Sequence, residues 1–523
     1  MARISGVLAH PTSFPGPHGI GDLGDSAFRF VDWLALASQR LWQVLPLTPV
    51  GSGDSPYAAP SAFAGNPLLV SLPWLAGDGL LDPGDLAPPP DVSPYAVDFD
   101  AVAAYKLPLL RQAFDRFRRG AATNLRPDFA AFAESQAFWL DDYALFMALK
   151  AAHGGASWLD WEVGLRLRDA AALADARRRF EPDIRFHQFV QFQFRRQWGE
   201  LKRYANERDI RIVGDMPIYV SHDSADVWAN RGLFRLFPDG SPAAVAGVPP
   251  DAFSGDGQLW GNPLYDWPAT AAAGYAWWID RVRASLDLVD LLRIDHFRAF
   301  AAGWVVAAGA ATAAAGHWER GPGTEVFAAI RSALGGLPFI VEDLGVITPD
   351  VVALREALDL PGMKVLQFAF GGEPDNFYLP HTYEPRCVVY PATHDNQTTI
   401  GWFAGLSARE REQVQRYIGK DGTDIAWDFI RLALASVAES AVLPLQDVMR
   451  LGDEARMNTP GRGEGNWGWR FVAHQLHPGL AAGLAELTAS YGRRFTPEQP
   501  RGYDPYDYTA PAATHPLHES GEG

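Results

Sequence analysis

Residues 338–370, PFIVEDLGVITPDVVALREALDLPGMKVLQFAF, decide the fold of this chain. A short run of apolar and β-branched residues at 338–344 is followed by a helical pattern that starts with Thr348 as a cap and Pro349 at the first helical position. A second apolar run follows at 363–370. A strand, a helix and a strand in this order predict two parallel strands of one sheet.

The same alternation of apolar runs and helical patterns extends along the chain. Eight runs are predicted as strands, at residues 5–10, 41–47, 210–220, 290–297, 338–344, 363–370, 387–393 and 441–449. Helical patterns lie between several of them, at 25–38, 274–288, 323–336 and 348–362. Eight strands favour a closed barrel over an open doubly wound sheet, and the glycine fingerprint of a dinucleotide fold is absent after the first strand. We therefore predict the α/β class and a (β/α)8 TIM barrel.

The predicted strands are unevenly spaced, which indicates insertions. Residues 48–209 separate the second strand from the third, far more than a simple crossover needs, and they contain several helical patterns. The stretch at 221–275 is rich in Gly, Asp, Pro and Trp and predicts a long ordered loop at the C-terminal face of the barrel. The run from Phe300 is rich in Ala and Gly and is interpreted as a loop leading into a helix. The predicted division is barrel at 1–72, a mostly helical inserted subdomain at 73–205, barrel at 206–500 with the loop at 221–275, and a weakly ordered tail at 501–523.

Composition narrows the range of possible functions. The chain has 523 residues, 48% of them hydrophobic, and a formal net charge of −17, so clustered cations for nucleic acid or an anionic membrane are not expected. The single cysteine, Cys387, cannot form an internal disulfide, and neither a secretory signal nor a convincing membrane span is present. We predict a cytoplasmic protein. Aromatic residues make up 12% of the chain, and aromatic faces are a usual way to hold sugar rings.

Three acidic residues stand at the ends of three predicted strands: Asp295 in DLLRIDHF, Glu342 in PFIVEDLG and Asp395 in CVVYPATHDN. In a parallel barrel, the C-terminal ends of all strands open onto one face. We therefore expect these carboxyl groups to converge on a single pocket. A cluster of carboxyl groups of this kind indicates chemistry on glycosidic bonds.

Two of these acids have neighbours that favour opposite protonation states. Arg293 lies two residues before Asp295 on the same strand face, so its charge keeps Asp295 ionised, as a nucleophile requires. A purely structural ion pair is the alternative. Glu342 follows four apolar residues, and partial burial is expected to raise its pKa, as a general acid requires. Glu342 or its neighbour Asp343 could instead be a helix cap or a surface charge.

Other chemistries fit the sequence less well. His296 and His394 are possible metal ligands, but no HxH, HExxH or CxxC spacing is present, and no DxDxDG calcium loop. The chain also lacks a GxSxG elbow and a GxxxxGK[ST] phosphate loop. We therefore do not expect a metal. The sequence leaves open whether the acids are about 5–5.5 Å apart, as for retention, or about 6.5–9.5 Å apart, as for inversion.

Longer motifs connect the chain to a known family. These motifs are GIGDLG (19–24), SPYAAPSAFAGNP (55–67), VGDMPIYV (213–220), WGNPLYDW (260–267), RIDHFR (293–298), VEDLG (341–345), PGMKVLQFAF (361–370), THDN (393–396), MNTPG (457–461) and GNWGWR (465–470). Through them the chain resembles the 4-α-glucanotransferases of the amylomaltase (disproportionating enzyme) type, a branch of the α-amylase superfamily, over nearly its whole length. The resemblance implies that no cofactor is needed.

The resemblance implies a role for each matched position. Asp295 matches the nucleophile, Glu342 the acid/base and Asp395 the stabiliser of the transition state. Residues implied to contact the sugar or the nucleophile are Tyr57, Asp215, Asp251, Gln258, Trp260, Arg293, Phe368, His394 and Asn466. Trp260 and Phe368 could instead be core residues, and Asp251 and Asn466 could be turn residues.

The implied reaction is retaining transfer of an α-1,4-glucan to the 4-hydroxyl of glucose or a maltooligosaccharide. An α-glucan hydrolase with the same three acids is the main alternative. A non-catalytic glucan-binding protein is a weaker one, because all three acids are present.

Overall fold

The computed structural model describes residues 3–89, 92–250, 255–372 and 376–493. The predicted tail at 501–523 lies outside the described residues, as does Asp251. The strands of the described part are β1 Ile4–Leu8, β2 Leu41–Gln43, β3 Arg211–Pro217, β4 Ala244–Val248, β5 Gln258–Pro263, β6 Leu291–Asp295, β7 Ala302–Ala307, β8 His317–Arg320, β9 Phe339–Val341, β10 Gly362–Val365, β11 Cys387–Tyr390 and β12 Ser440–Pro444.

The α-helices of the same residues are α1 Asp25–Leu36, α2 Leu72–Gly77, α3 Phe99–Arg118, α4 Arg126–Ser135, α5 Ala137–Ala152, α6 Val163–Arg166, α7 Ala170–Arg179, α8 Glu181–Asn206, α9 Ala225–Ala229, α10 Trp267–Ala272, α11 Ala276–Leu288, α12 Thr324–Leu334, α13 Pro349–Leu358, α14 Thr399–Gly405, α15 Ala408–Ile418, α16 Ile425–Ala435, α17 Leu445–Val448 and α18 Pro478–Ser490. None of them is long and apolar enough to cross a membrane.

Eight parallel strands close into a barrel in the order β1-β2-β3-β6-β9-β10-β11-β12, with β12 pairing back onto β1. Each of the eight predicted strands contributes one of them, so the predicted (β/α)8 barrel is confirmed. The side chains of β1, β2, β9 and β11 are buried throughout, as expected for strands that are covered on both faces. The four predicted helical patterns form α1, α11, α12 and α13.

Seven helices, α2 to α8, fill the chain between β2 and β3, as predicted. The longest of them, α8, connects this insertion to the barrel. Its buried Gln191 accepts a hydrogen bond from Gly65 N at 2.7 Å and donates one to Gly65 O at 2.8 Å. Gly65 is also required sterically, because a Cβ there would lie 2.1 Å from the ring of Phe194. The limits of a separate subdomain at 73–205 stay a prediction.

A second sheet covers part of the C-terminal face of the barrel. Its antiparallel strands are ordered β5-β4-β7-β8. The stretch at 221–275, expected to be a loop, supplies β4 and β5 together with α9 and α10. The run from Phe300, interpreted as a loop leading into a helix, instead forms β7, so that interpretation is wrong. Gly303 and Val305 lie on one face of β7 and Trp304 and Val306 on the other, which suits a strand that is packed on both sides.

Candidate active site

The three predicted acids lie at the C-terminal mouth of the barrel. Asp295 is the last residue of β6, Glu342 directly follows β9, and Asp395 lies five residues beyond the end of β11. Asp215 projects from the C-terminal half of the neighbouring strand β3 and is paired in register with Arg293 of β6. The fold therefore brings together residues that are up to 180 positions apart in the sequence.

Arg293 connects the carboxyl groups of this site. Its Nη1 donates to both oxygens of Asp215, at 2.7 and 2.6 Å, and to Asp295 Oδ1 at 3.0 Å. Its Nη2 lies 3.2 Å from Glu342 Oε2. The arginine side chain is 2% exposed, so these ion pairs are shielded from water and rigidly placed. Arg293 and Asp295 share one side of β6, as strand alternation predicts.

Asp295 and Glu342 are hydrogen-bonded to each other. Burial, and then the charge of Glu342, raise the pKa of Asp295 well above its ordinary value. Burial acts to raise the pKa of Glu342 too, but the charge of Arg293 and a hydrogen bond from the backbone of His296 outweigh it, so this pKa is lowered. The expected raised pKa of Glu342 and ionised Asp295 are therefore wrong for the ligand-free protein. These opposite shifts mean that Asp295 holds the shared proton more tightly than Glu342 does.

After Arg293, the backbone of His296 is the next cause of the lowered pKa of Glu342. His296 has a left-handed conformation, with φ of 51°, directly after β6. This conformation is uncommon for a residue other than glycine. The backbone N–H of His296 donates to Glu342 Oε2 at 2.7 Å. From the sequence, His296 was expected only as a possible metal ligand. Over the residues that the structure describes, no group of three or more His, Cys, Asp and Glu could hold a metal ion.

A second network lies on the opposite side of Asp215. The Tyr57 hydroxyl is 2.8 Å from Asp215 Oδ2 and 2.8 Å from His394 Nε2. The Tyr57 hydroxyl donates its proton to Asp215, so its oxygen accepts from His394 Nε2–H. The rings of Tyr57 and His394 stack with centroids 5.5 Å apart. These contacts fix the tautomer and the orientation of His394.

Asp395 is the most open of the three acids, with 38% of its side chain exposed against 25% for Asp295 and 19% for Glu342. Its Oδ1 accepts a hydrogen bond from Asn458 Nδ2 at 2.6 Å, and its Oδ2 lies 3.4 Å from His394 Nε2. Among the described residues, Oδ2 of Asp395 has only this long contact, so it can accept a hydrogen bond from a ligand hydroxyl.

Sequence reasoning missed several residues of this network. The ring of Trp467 packs against Tyr57, with centroids 5.4 Å apart, and against His394 at 6.0 Å. Arg456 Nη2 donates to the backbone oxygen of Asp395 at 2.8 Å, beside Asn458. Asn458 and Trp467 belong to the family-like motifs MNTPG and GNWGWR, but no local pattern distinguishes these two residues from their neighbours.

The predicted contacts from the second sheet lie at the edge of the barrel mouth. Trp260 on β5 is 38% exposed, and its ring meets that of His296 edge-on with centroids 4.7 Å apart. Gln258 accepts a hydrogen bond from Trp260 Nε1 at 3.2 Å. The interpretation of Trp260 as a core residue is therefore wrong, and both side chains border the site next to Asp295.

Phe368 and Asn466 lie on two other sides of the site. The rings of Phe368 and Tyr378 meet edge-on, with centroids 5.5 Å apart. Burial, then the charge of Asp343 and then that of Glu342 raise the pKa of Tyr378, so this aromatic pair lies near Glu342. Asn466 uses both ends of its amide within its own loop, accepting from Thr459 N and donating to Arg462 O, each at 2.9 Å. These bonds hold the loop that carries Trp467. The alternative of Asn466 as a turn residue fits this geometry.

Asp343 has a structural position. It is 8% exposed, accepts a hydrogen bond from Met363 N at 2.7 Å and pairs with Arg355 Nη1 at 2.9 Å. It therefore joins the end of β9 to β10, immediately beside Glu342, and is neither a helix cap nor a surface charge.

A parallel eight-stranded barrel with a hydrogen-bonded pair of carboxylic acids and a third acid at its C-terminal mouth defines a class, the barrel enzymes that act on glycosidic bonds. Comparisons with known proteins narrow this class. A family profile described as 4-alpha-glucanotransferase matches residues 9–475. The chain belongs to the 4-alpha-glucanotransferase family.

Individual relatives agree along almost the whole chain. A 4-alpha-glucanotransferase of Synechocystis sp. is 51% identical over 498 residues, which cover 94% of this chain and 98% of that protein. One of Thermus thermophilus is 47% identical, with 94% and 99% coverage. The solved amylomaltase of Streptococcus agalactiae in complex with acarbose superposes with a TM-score of 0.91 at 37% identity, covering 94% of this chain and 100% of that one.

Proposed function

We propose that this protein is a retaining 4-α-glucanotransferase, which cleaves α-1,4 bonds of maltooligosaccharides or starch-like glucans and transfers the released segment to another sugar. The hydrogen bond between Asp295 and Glu342 carries this proposal. Two carboxyl groups that share a hydrogen bond are too close for a water molecule to lie between them, as inversion requires, so their separation favours double displacement. The family membership supports transfer over hydrolysis.

The first half of the reaction begins with the proton on Asp295. When the glucan enters, the proton passes along the hydrogen bond to Glu342, which leaves Asp295 ionised beside Arg293. Asp295 then attacks the anomeric carbon while Glu342 gives its proton to the departing glycosidic oxygen. The products are a β-linked glucosyl enzyme on Asp295 and a shortened glucan with a new free hydroxyl.

The second half reverses these steps with a different sugar. The ionised Glu342 takes the proton of the 4-hydroxyl of glucose or a maltooligosaccharide, and that oxygen displaces Asp295 from the anomeric carbon. Arg293 stays within reach of both carboxylates and balances the negative charge as it passes between them. Overall one α-1,4 bond breaks and one forms, and no cofactor or metal is required.

The surrounding side chains fit the handling of one sugar ring. We assign Asp395, with its less occupied Oδ2, to accept sugar hydroxyls and to stabilise the positive charge of the transition state. His394 and Asp215 face the same ring, held in place through Tyr57. That the amylomaltase of Streptococcus agalactiae is solved with acarbose supports a glucan-like ligand at this site.

Further contacts are proposed along the cleft. Trp260, Gln258 and Phe368 border the site and are assigned to glucan binding. Asp251 and Asn466 stay predicted contacts on the strength of the family resemblance. The second sheet and the helical insertion stand beside the cleft, and we infer that they limit the access of water to the glucosyl enzyme, so that a sugar hydroxyl completes the reaction.

The compartment is also a proposal. Cys387 is free and buried, and no disulfide is recorded within the described residues, which supports a cytoplasmic location.

The test is product analysis with maltotriose. We expect glucose and a ladder of longer maltooligosaccharides without a net rise in reducing ends, because transfer conserves the number of bonds. Asp295→Asn is expected to lower this activity at least about a thousandfold, since the nucleophile is lost. Asp424→Asn, in a half-exposed pair with Arg450, is the matched control and should leave it unchanged. A rise in reducing ends with only shorter products would identify a hydrolase instead.

A further inference from the structure

The exposure of the tryptophans singles out one side chain that the proposed reaction does not use. The chain has eighteen tryptophans, and all of them lie within the described residues. Only Trp260 and Trp318 are markedly exposed, each at 38%. Trp260 already borders the site. At this exposure more than a third of the Trp318 surface, most of it apolar, stays in contact with water, so a ligand that covers the ring would bury apolar area.

The two exposed tryptophans occupy the opposite edges of the second sheet. Trp260 lies on β5 and Trp318 on β8, which are the first and last strands in the order β5-β4-β7-β8. Three strand spacings of about 4.8 Å place these edges roughly 14 Å apart. The separation suits a polymer of several sugar units and exceeds what one sugar ring covers.

Trp318 is joined to the catalytic segment through Arg298. The guanidinium of Arg298 stacks on the Trp318 ring, with its carbon 3.7 Å from the ring centroid. Arg298 lies three residues after Asp295 and donates from Nη1 to the backbone oxygen of Val346, at 2.5 Å, four residues after Glu342. Trp318 therefore belongs to the same edge of the barrel mouth as the two hydrogen-bonded acids.

The contacts of Trp318 also hold its ring in one orientation. Trp304, its partner in the β7–β8 pairing, meets it edge-on with centroids 5.0 Å apart, and Arg298 is itself 5% exposed and therefore fixed. A ring that is already held loses little side-chain freedom when a ligand stacks on it. Val346, whose backbone oxygen accepts the hydrogen bond from Arg298, is also exposed, at 49%.

We propose that Trp318 forms a distal subsite that stacks an α-glucan chain several units away from the bond that is cleaved. This inference rests on the proposed function and names the substrate length at which the site gains affinity. A neutral polymer that already occupies the cleft at Trp260 and Asp295 is the ligand that can continue to Trp318. Maltotriose leaves at most two units beyond the sugar at the acids, so we expect its turnover to depend less on Trp318 than that of a long glucan.

The experiment compares short and long substrates. Trp318→Ala is expected to lower kcat/KM for long-chain amylose five- to tenfold and for maltotriose less than twofold. Trp318→Phe keeps an aromatic face and should retain most of the amylose activity, whereas Trp318→Leu should not. Val437→Ala is the matched control, because Val437 is 50% exposed and precedes β12 at the opposite end of the barrel.

Affinity electrophoresis in gels containing soluble amylose measures binding without turnover. Wild-type protein should be retarded, and Trp318→Ala less so. An equal loss for maltotriose and amylose, or no loss for either, would overturn the proposal. If Trp318→Ala does not fold, the comparison is made between Trp318→Phe and Trp318→Leu. Equal kcat/KM for amylose in these two variants would refute stacking on an aromatic ring. Failure of wild-type protein to form a maltotriose ladder would refute the transfer function separately, because retardation by amylose does not depend on it.

Discussion

Replacing Arg293 by lysine tests how far a single guanidinium organises the acids. The change keeps one positive charge but loses the planar fork that reaches three carboxyl groups. In the structure, Nη1 of Arg293 contacts carboxylate oxygens of Asp215 and Asp295, and Nη2 contacts one of Glu342, with nitrogen–oxygen distances between 2.6 and 3.2 Å. A lysine ammonium is a single point and can stay close to Asp215 only by giving up Glu342.

The magnitude follows from the contacts that are lost. A hydrogen bond to a charged group contributes about 1.5–3 kcal/mol, so losing two of the carboxyl contacts costs roughly 3–6 kcal/mol. If these contacts act in the transition state, each 1.4 kcal/mol lowers the rate about tenfold, which gives a fall of about 10²-fold or more in kcat/KM. The pKa of Glu342 is held down by Arg293, so we also expect the acidic limb of the pH profile to move to higher pH.

The assay is release of glucose from maltotriose between pH 4 and 9, with circular dichroism to confirm folding. The matched control is Arg235→Lys, because Arg235 makes a single contact with Glu319, at 2.7 Å, in a half-exposed pair outside the acid cluster. This control should keep wild-type activity, since an exposed single-contact pair contributes less than about 1 kcal/mol. A loss below fivefold in Arg293→Lys, or an unmoved acidic limb, would refute the reasoning.

Two further predictions concern the hydrogen bonds around the site. Tyr57→Phe removes the hydroxyl between Asp215 and His394. The loss of a hydrogen bond to a charged group should lower kcat/KM for maltotriose by about 10- to 100-fold, and the melting temperature, measured on the same protein, should be unchanged. Asp447 is fully buried, and burial raises its pKa to about 6 despite hydrogen bonds from Thr399. A carboxyl group whose pKa is higher in the folded than in the unfolded protein lowers the free energy of unfolding as pH rises from about 4 to 6. Asp447→Asn should therefore increase the free energy of unfolding at pH 8 by up to about 3 kcal/mol, seen as a higher melting temperature, and leave the melting temperature unchanged at pH 4. Equal shifts at both pH values would contradict this sign.

The barrel could be predicted because its signals are local. In 338–370, the apolar runs, the proline at the helix start and the glycine near its end lie within one strand–helix–strand unit, and each appears in the structure as β9, α13 or β10. The second sheet has no such signal. β4 pairs with β7, with Ala244 opposite Ala307, so its partner comes from more than fifty residues away and the Ala/Gly-rich run of β7 shows no clear strand pattern of its own.

The sequence predicted four site residues, because strand ends and residue types are read directly from it: Arg293, Asp295, Glu342 and Asp395. It did not predict which of the two paired acids holds the proton. Neighbouring residues predicted an ionised Asp295 and a protonated Glu342, but the backbone N–H of His296 and the fork of Arg293 reach Glu342 only in the folded barrel, and together they reverse the order of the two pKa values.

The sequence by itself determined the barrel, its helical insertion and the acids at the ends of its strands, because each depends on periodicity and residue type within short segments. Only the tertiary structure decided which acid holds the proton, which tautomer His394 adopts, and which two of the eighteen tryptophans face solvent. These properties depend on distances of a few ångströms between residues far apart in the chain, since charge and hydrogen bonding act through space.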